Sequence, residues 1–130
     1  MQINRPDVLA EVWSAYRRYE AALLTADVAT LDELFWNDAR TIRYGVNEIL
    51  HGHSAIAAYN ARRRINPERL LAETAVTTYG ADFATASTLF TDTPEGTIGR
   101  QMQSWARMPA GWRVVAAHVS VIAKLAETVG

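Results

Sequence analysis

An α+β fold, with helices packed on one face of a strongly curved sheet, follows from the order in which two patterns occur along the chain. Apolar residues first recur at helical spacing, and the second half then holds four strand-like runs parted by short turns. Such turns leave no room for crossovers, so the late strands are expected to pair antiparallel.

Pro6-Asp7 marks a helix start, and Val12, Tyr16, Tyr19 and Leu23 form an apolar stripe with Glu11, Arg17, Arg18 and Glu20 largely filling the other faces. This predicts a helix from about Asp7 to Leu24. Thr25-Ala26-Asp27 breaks it, and Asp27 can cap a short second helix over Val28 to Leu34. Arg40 to Gly45 alternates like a strand, Val46-Asn47-Glu48 is a turn, and Ile49 to Gly52 is a return strand. Ser54 can cap a third helix that carries Ile56 and Tyr59 inward and stops before Pro67. The four strands are expected over Leu70 to Thr78, Asp82 to Phe90, Thr97 to Met108 and Trp112 to Ile122. One domain is expected over 1–123, with a short tail over 124–130.

Composition narrows the chemistry. Hydrophobic residues make up 49% of the 130, enough for one core, and the formal net charge of −1 argues against a nucleic-acid or anionic-membrane footprint. There is no cysteine, so no disulfide, thiolate nucleophile or cysteine-ligated metal. Twelve arginines stand against one lysine, Lys124, so anion binding or carbonyl polarisation falls to arginine. Met1 to Pro6 has no signal-peptide layout, and the apolar stretch Val114 to Ala117 is far too short to span a bilayer. A cytoplasmic location is expected.

Two strings give this outline a family likeness. Leu50-His51-Gly52-His53-Ser54-Ala55-Ile56, before the third helix, and the final-strand run from Gly111 to Ser120 resemble the nuclear-transport-factor-2-like, SnoaL-like superfamily. That likeness implies a cystatin-like cone with three N-terminal helices on a mixed, largely antiparallel sheet. Arg18-Tyr19-Glu20, Leu34-Phe35-Trp36, Thr41 to Gly45, Phe83 to Phe90 and Gly99-Arg100-Gln101 resemble the AtzH-like family more closely, from Met1 to about Val121. The resemblance implies a hydrolase, acting without a cofactor, on a small ureido carboxylate of the 1,3-dicarboxyurea or oxalurate type. This is the chemistry of nitrogen and purine catabolism carried by AtzH and by HpxZ-type proteins. It also implies Tyr19 and Arg43 as the catalytic pair. The run Arg62-Arg63-Arg64 into Ile65-Asn66-Pro67 is the least typical stretch, and no role is transferred there. By itself it reads as a solvated helix end that can draw anions toward a pocket mouth.

The candidates carry alternatives. Arg43 shares a strand face with Thr41 and Gly45, and faces either solvent or, in a cone, the concave pocket. Tyr19 is either a core tyrosine or an acid–base group, since an adjacent arginine favours a phenolate. Arg100 shares a face with Met102 and Ser104 and is either a carboxylate clamp or a surface ion-pair partner. His118 and Ser120 are expected on one largely apolar face with Trp112, Val114 and Ala116, as substrate contacts or as hydrogen-bonded core groups. The H-x-H of His51 and His53 has no third clustered ligand, so no metal is expected.

Ile42, Tyr44, Val115, Val119 and Val121 are expected to form an exposed apolar face, hence a C2 homodimer. The other expected partners are a small anionic ureido-type substrate and an amidase of the same pathway, with no nucleic acid and no membrane. A non-catalytic binding or amidase-accessory module is the alternative function, supported by the thin catalytic inventory. Isomerase or lyase chemistry on a related acid is weakened by the lack of a pocket-strand aspartate.

Overall fold

A computed structural model describes residues 1–124. The expected tail therefore lies outside the described residues, apart from Lys124. Three helices, α1 (Pro6–Thr25), α2 (Val28–Leu34) and α3 (His53–Arg62), pack on one face of a six-stranded sheet. The strands are β1 (Ile42–Tyr44), β2 (Ile49–His51), β3 (Leu71–Tyr79), β4 (Phe83–Phe90), β5 (Thr97–Met108) and β6 (Gly111–Ala123), in the spatial order β2-β1-β6-β5-β4-β3. Among the named strands only the β1–β6 pairing is parallel, so the sheet is mixed, and the expected α+β cone is the architecture observed. Among the described residues, no helix is long and apolar enough to cross a membrane.

Local chemistry sets the helix ends. Pro6 opens α1, where its missing N–H costs no hydrogen bond, and Asp7 in the first turn is gripped by Arg5 through two bonds of 2.7 and 2.8 Å. That hydrogen-bonded pairing holds the Asp7 carboxyl at about 2, below the usual carboxylate range. Ala26, in left-handed conformation, ends the helix. Asp27 caps α2 as expected, accepting from the Thr30 N–H and hydroxyl. At α3 the cap differs from the expectation. Gly52, at φ +92°, precedes the helix with no side-chain cap, and Ser54 lies inside it. The entry is pinned by backbone instead: Gly52 N–H donates to Thr41 O at 2.7 Å and His53 N–H to Asp38 O at 3.1 Å.

The core lies between the stripe of α1 and the inward face of β4, β5 and β6. Trp105 is wholly buried, its Nε1–H donating to Gln103 Oε1 at 3.1 Å, and it meets the Tyr19 ring edge-on. Ala84 and Ala86 on β4 are buried, their small side chains keeping the inward face low beneath the helix layer. At the far end, Glu11 of α1 accepts from Arg107 Nη1 at 2.6 Å and from Trp112 Nε1 at 3.1 Å. These bonds lower the Glu11 carboxyl below its ordinary value and tie the helix to the β5–β6 hairpin.

Two irregularities shape the sheet. In β3, Glu73 takes φ +52° where the pairing with β4 skips, bending the edge strand. In β6, Ser104 pairs Ala116 while Trp105 pairs Val114, so Val115 is an extra residue. This bulge reverses the side-chain parity of everything after it. Trp112 and Val114 face the helices, and beyond the bulge Ala117, Val119 and Val121 do so instead of His118 and Ser120. The single face expected for Trp112 through Ser120 is thus corrected by one residue.

Phe90 and Gly99 are direct partners across β4 and β5, and a Cβ at position 99 would overlap the Phe90 ring. Gly99→Ala is expected to destabilise the protein by about 1–3 kcal/mol through overpacking, as read by urea denaturation.

Candidate functional site

The inward face of β1, β5 and β6 and the segment after α3 enclose a cavity of about 200 Å³. Its chemistry is unusual for an interior: Arg43, Arg63, Arg69 and the exposed Arg64 all reach its wall. Buried guanidinium groups need acceptors, and each of the first three finds them to a different degree.

Arg69 is best served. It is 7% exposed, it donates to both Glu20 oxygens at 3.3 and 3.4 Å, and it also donates to Gln101 Oε1 at 3.3 Å. Gln101 closes the triangle by donating to Glu20 at 3.0 Å. The Arg69 guanidinium also lies 4.4 Å from the Phe90 ring centre, on the side chain that Gly99 leaves room for.

Arg43 is 4% exposed. The pleat of β1 points it inward with Thr41, and Ile42 and Tyr44 outward. Its Nη1 is 3.4 Å from Glu48, its Nε–H has no acceptor among the described residues, and its charge sits 4.6 Å from the centre of the Tyr59 ring.

Arg63 follows α3 with extended backbone (φ −71°, ψ 154°), which turns its side chain inward between exposed Arg62 and Arg64. Its Nη2 donates to the Tyr19 hydroxyl at 3.2 Å, while its Nε–H has no acceptor among the described residues. Burial works against this charge, but the Tyr19 and Tyr59 oxygens outweigh it and raise the guanidinium above its ordinary value. Arg63 is a permanent cation here.

Two tyrosines share the α1 stripe, and their surroundings separate them. Tyr19 is 2% exposed, packed edge-on against Phe35 and Trp105, with its hydroxyl held by Arg63. The Tyr16 hydroxyl has no hydrogen-bond partner among the described residues; burial, with the Glu20 carboxylate nearby, pushes it above the ordinary tyrosine value and keeps it protonated. The hydrogen bond to Tyr19 thus comes from Arg63, in the run expected to be solvated, and Arg43 bonds to Glu48.

The structure does not bring the expected substrate contacts to this cavity. Arg100 is exposed and its Nε–H donates to Ser120 at 3.1 Å, on the outer face of the sheet. His118 is exposed there too, edge-on to Tyr44 at 6.1 Å. With Met102, these three residues line a separate shallow depression. The Val115 bulge accounts for His118 and Ser120, and ordinary strand alternation for Arg100. Val119 and Val121, expected outside, line the cavity instead. The histidines of the H-x-H diverge: His51 is exposed beside Tyr44, whereas His53 Nε2–H donates to the Asp32 carbonyl at 2.6 Å. No group of three or more potential ligands able to hold a metal occurs among the described residues.

Sequence reasoning missed Arg63, Arg69, Glu20, Tyr59 and Gln101. Two of them carried a signal: Tyr59 was expected to point inward from the third helix, and Gln101 shares a strand face with Trp105.

A three-helix layer over a curved mixed sheet, with a polar cavity between them, is the nuclear-transport-factor-2-like, cystatin-like class. Solved structures agree. A Burkholderia xenovorans cystatin-like fold protein is 48% identical, with 96% of this chain and 99% of that one covered and a TM-score of 0.91. A Pectobacterium atrosepticum protein of unknown function from the DUF3225 family is 54% identical, with 93% and 95% covered and a TM-score of 0.88. A Salmonella enterica nuclear-transport-factor-2-like superfamily protein is 27% identical, with 95% and 97% covered and a TM-score of 0.74. The chain belongs to the AtzH-like family, which it matches over residues 1–125. Among curated proteins there is no match.

The Glu20–Arg69 pair supplies a test. Arg69→Met strands a buried carboxylate and is expected to cost about 3–5 kcal/mol in urea denaturation, and adding Glu20→Leu recovers much of that loss.

Proposed function

We propose that the protein hydrolyses a small ureido carboxylate of the 1,3-dicarboxyurea or oxalurate type in this cavity, within nitrogen or purine catabolism. The observation that carries the reading is the excess of donors. Four arginines, Arg43, Arg63, Arg64 and Arg69, line one small cavity against two carboxylates, Glu48 and Asp92. A substrate with carboxylate and carbonyl oxygens supplies what the arginines lack. A volume of about 200 Å³ suits a ligand of roughly ten heavy atoms.

For 1,3-dicarboxyurea the reaction breaks the N–C bond to one terminal carboxyl. Water gives its hydroxyl to that carbon, which leaves as bicarbonate, and a proton goes to the nitrogen, which becomes the NH2 of allophanate. A ureido nitrogen leaves poorly as an anion, so proton delivery is the demanding event. In this reading Tyr19 delivers the proton and Arg63 stabilises the resulting phenolate through the bond it already makes. Arg43 stabilises charge developing on the substrate oxygens. No residue role here calls for a cofactor.

A second reading, a non-catalytic binding module, is favoured by the burial of Tyr19, which is 2% exposed and absent from the residues lining the cavity. Turnover separates the two. Purified protein given 1,3-dicarboxyurea is expected to release allophanate and bicarbonate, and Tyr19→Phe or Arg43→Ala to lower kcat/KM by about 10²–10³-fold. Thermal stabilisation by the ligand, with no turnover of either 1,3-dicarboxyurea or oxalurate, would instead establish the binding module.

We also propose that the outer face of the sheet pairs with a second copy in a C2 homodimer. Tyr44 and Met102 stand 40% and 57% exposed there, beside Ile42 and Ala116. Light scattering at micromolar concentration is expected to report a dimer, and the double substitution Tyr44→Asp with Met102→Glu a monomer.

A further inference from the structure

Glu48 has no part in the chemistry above, yet its carboxylate stands in the cavity wall against the buried Arg43. The contact is loose. Nη1 to Oε1 is 3.4 Å, whereas charge-assisted bonds usually run about 2.7–2.9 Å. The rest of the guanidinium has not found better partners, since Nε–H lacks an acceptor among the described residues. The arginine is therefore buried and charged, and balanced by one weakly engaged carboxylate.

The two partners differ in how they are held. Arg43 sits mid-strand, paired to Leu50 on one side and Ala117 on the other. Glu48 belongs to the turn between β1 and β2, next to exposed Val46 and Asn47. If the pair separates, the glutamate is the one that moves. Gly45 is the floor on which the pair rests: a Cβ there would overlap Glu48 Oε1 and lie 2.6 Å from Arg43 Nη1. The other charged groups of the wall do not compete for this glutamate. Arg69 is taken by Glu20, Arg63 by Tyr19, exposed Arg64 donates to the Arg62 and Arg63 carbonyls at 3.2 and 3.4 Å, and the Asp92 carboxylate accepts the Asn66 N–H at 2.9 Å.

We propose that Glu48 is the resident counter-ion of Arg43 and that the substrate's own carboxylate takes its place. This rests on the reading of the cavity as a carboxylate site. The exchange is chemically matched, one planar carboxylate for another on the same guanidinium. The displaced glutamate turns to solvent with its loop, because two carboxylates cannot share the position without repulsion. Glu48 thereby sets a threshold for binding. A ligand that reaches only Arg43 trades like for like and gains little. One that also offers acceptors to Arg63 gains net affinity.

Glutarate tests this, because its five-atom backbone with a carboxylate at each end matches the dimensions of 1,3-dicarboxyurea and is chemically inert. Its binding is measured by titration calorimetry on the wild-type chain, Glu48→Gln and Arg43→Ala, with thermal melts to verify folding. Glu48→Gln keeps the shape of the side chain and removes its charge. It is expected to bind glutarate about tenfold more tightly than wild type, or to bind where wild type shows nothing. Arg43→Ala is expected to lose binding. Equal or weaker binding by Glu48→Gln, with binding still dependent on Arg43, overturns the counter-ion role and leaves the carboxylate site intact. Absence of binding in all three proteins overturns both.

Discussion

A guanidinium withdrawn from water has to be given oxygen atoms, and the interior of this cone is organised around three that have been withdrawn to different extents. Arg69 is fully committed: two oxygens of Glu20 and one of Gln101 surround it, and Phe90 covers it. Arg63 has one hydroxyl, and Arg43 has one distant carboxylate. The order of commitment runs from Arg69 through Arg63 to Arg43. The arginine with the most partners belongs to the scaffold, and the two whose Nε–H groups lack an acceptor among the described residues keep unspent hydrogen-bonding capacity. Many surrounding features serve this arrangement. Gly99 admits Phe90, the extended backbone at Arg63 turns its side chain inward, and the pleat of the short β1 strand aims Arg43.

The α1 stripe has a double duty that follows from the same constraint. Val12, Tyr16, Tyr19 and Leu23 are buried as an amphipathic helix demands, yet the next residue after Tyr19 is a buried glutamate. Glu20 is tolerable there only because Arg69 arrives from a segment 49 residues away to neutralise it. Tyr19 likewise places its ring in the core against Trp105 and its oxygen against a cation. Helix α1 is thus both the main apolar buttress of the sheet and the element that supplies the acidic and phenolic groups behind the cavity.

Much of this was legible from the chain. Helical spacing located α1 and α2 to within a residue at each end, turn chemistry separated the four long strands, and alternation put Arg43 on one face with Thr41, the face the fold turns inward. The failures have definite physical origins. Alternation assigns faces only while the ladder is regular, and the extra residue Val115 breaks it in the middle of β6. A run of three arginines looks uniform in one dimension, but α3 ends at Arg62 and the change of backbone angle sends Arg63 inward alone. Glu20 and Arg69 each look like surface residues until the fold brings them together, because a buried ion pair leaves no local pattern.

The bulge has a meaning for how such a protein diversifies. Everything downstream of Val115 on β6 holds its face by the count of a single residue. Val119 and Val121 now line the cavity, while His118 and Ser120 lie beyond its wall. Removing one residue at that point would exchange the two sets without altering any other letter of the strand, exchanging an apolar lining for one with an imidazole and a hydroxyl. The chain therefore carries a second, unexpressed pocket chemistry in the same strand, one deletion away from the first.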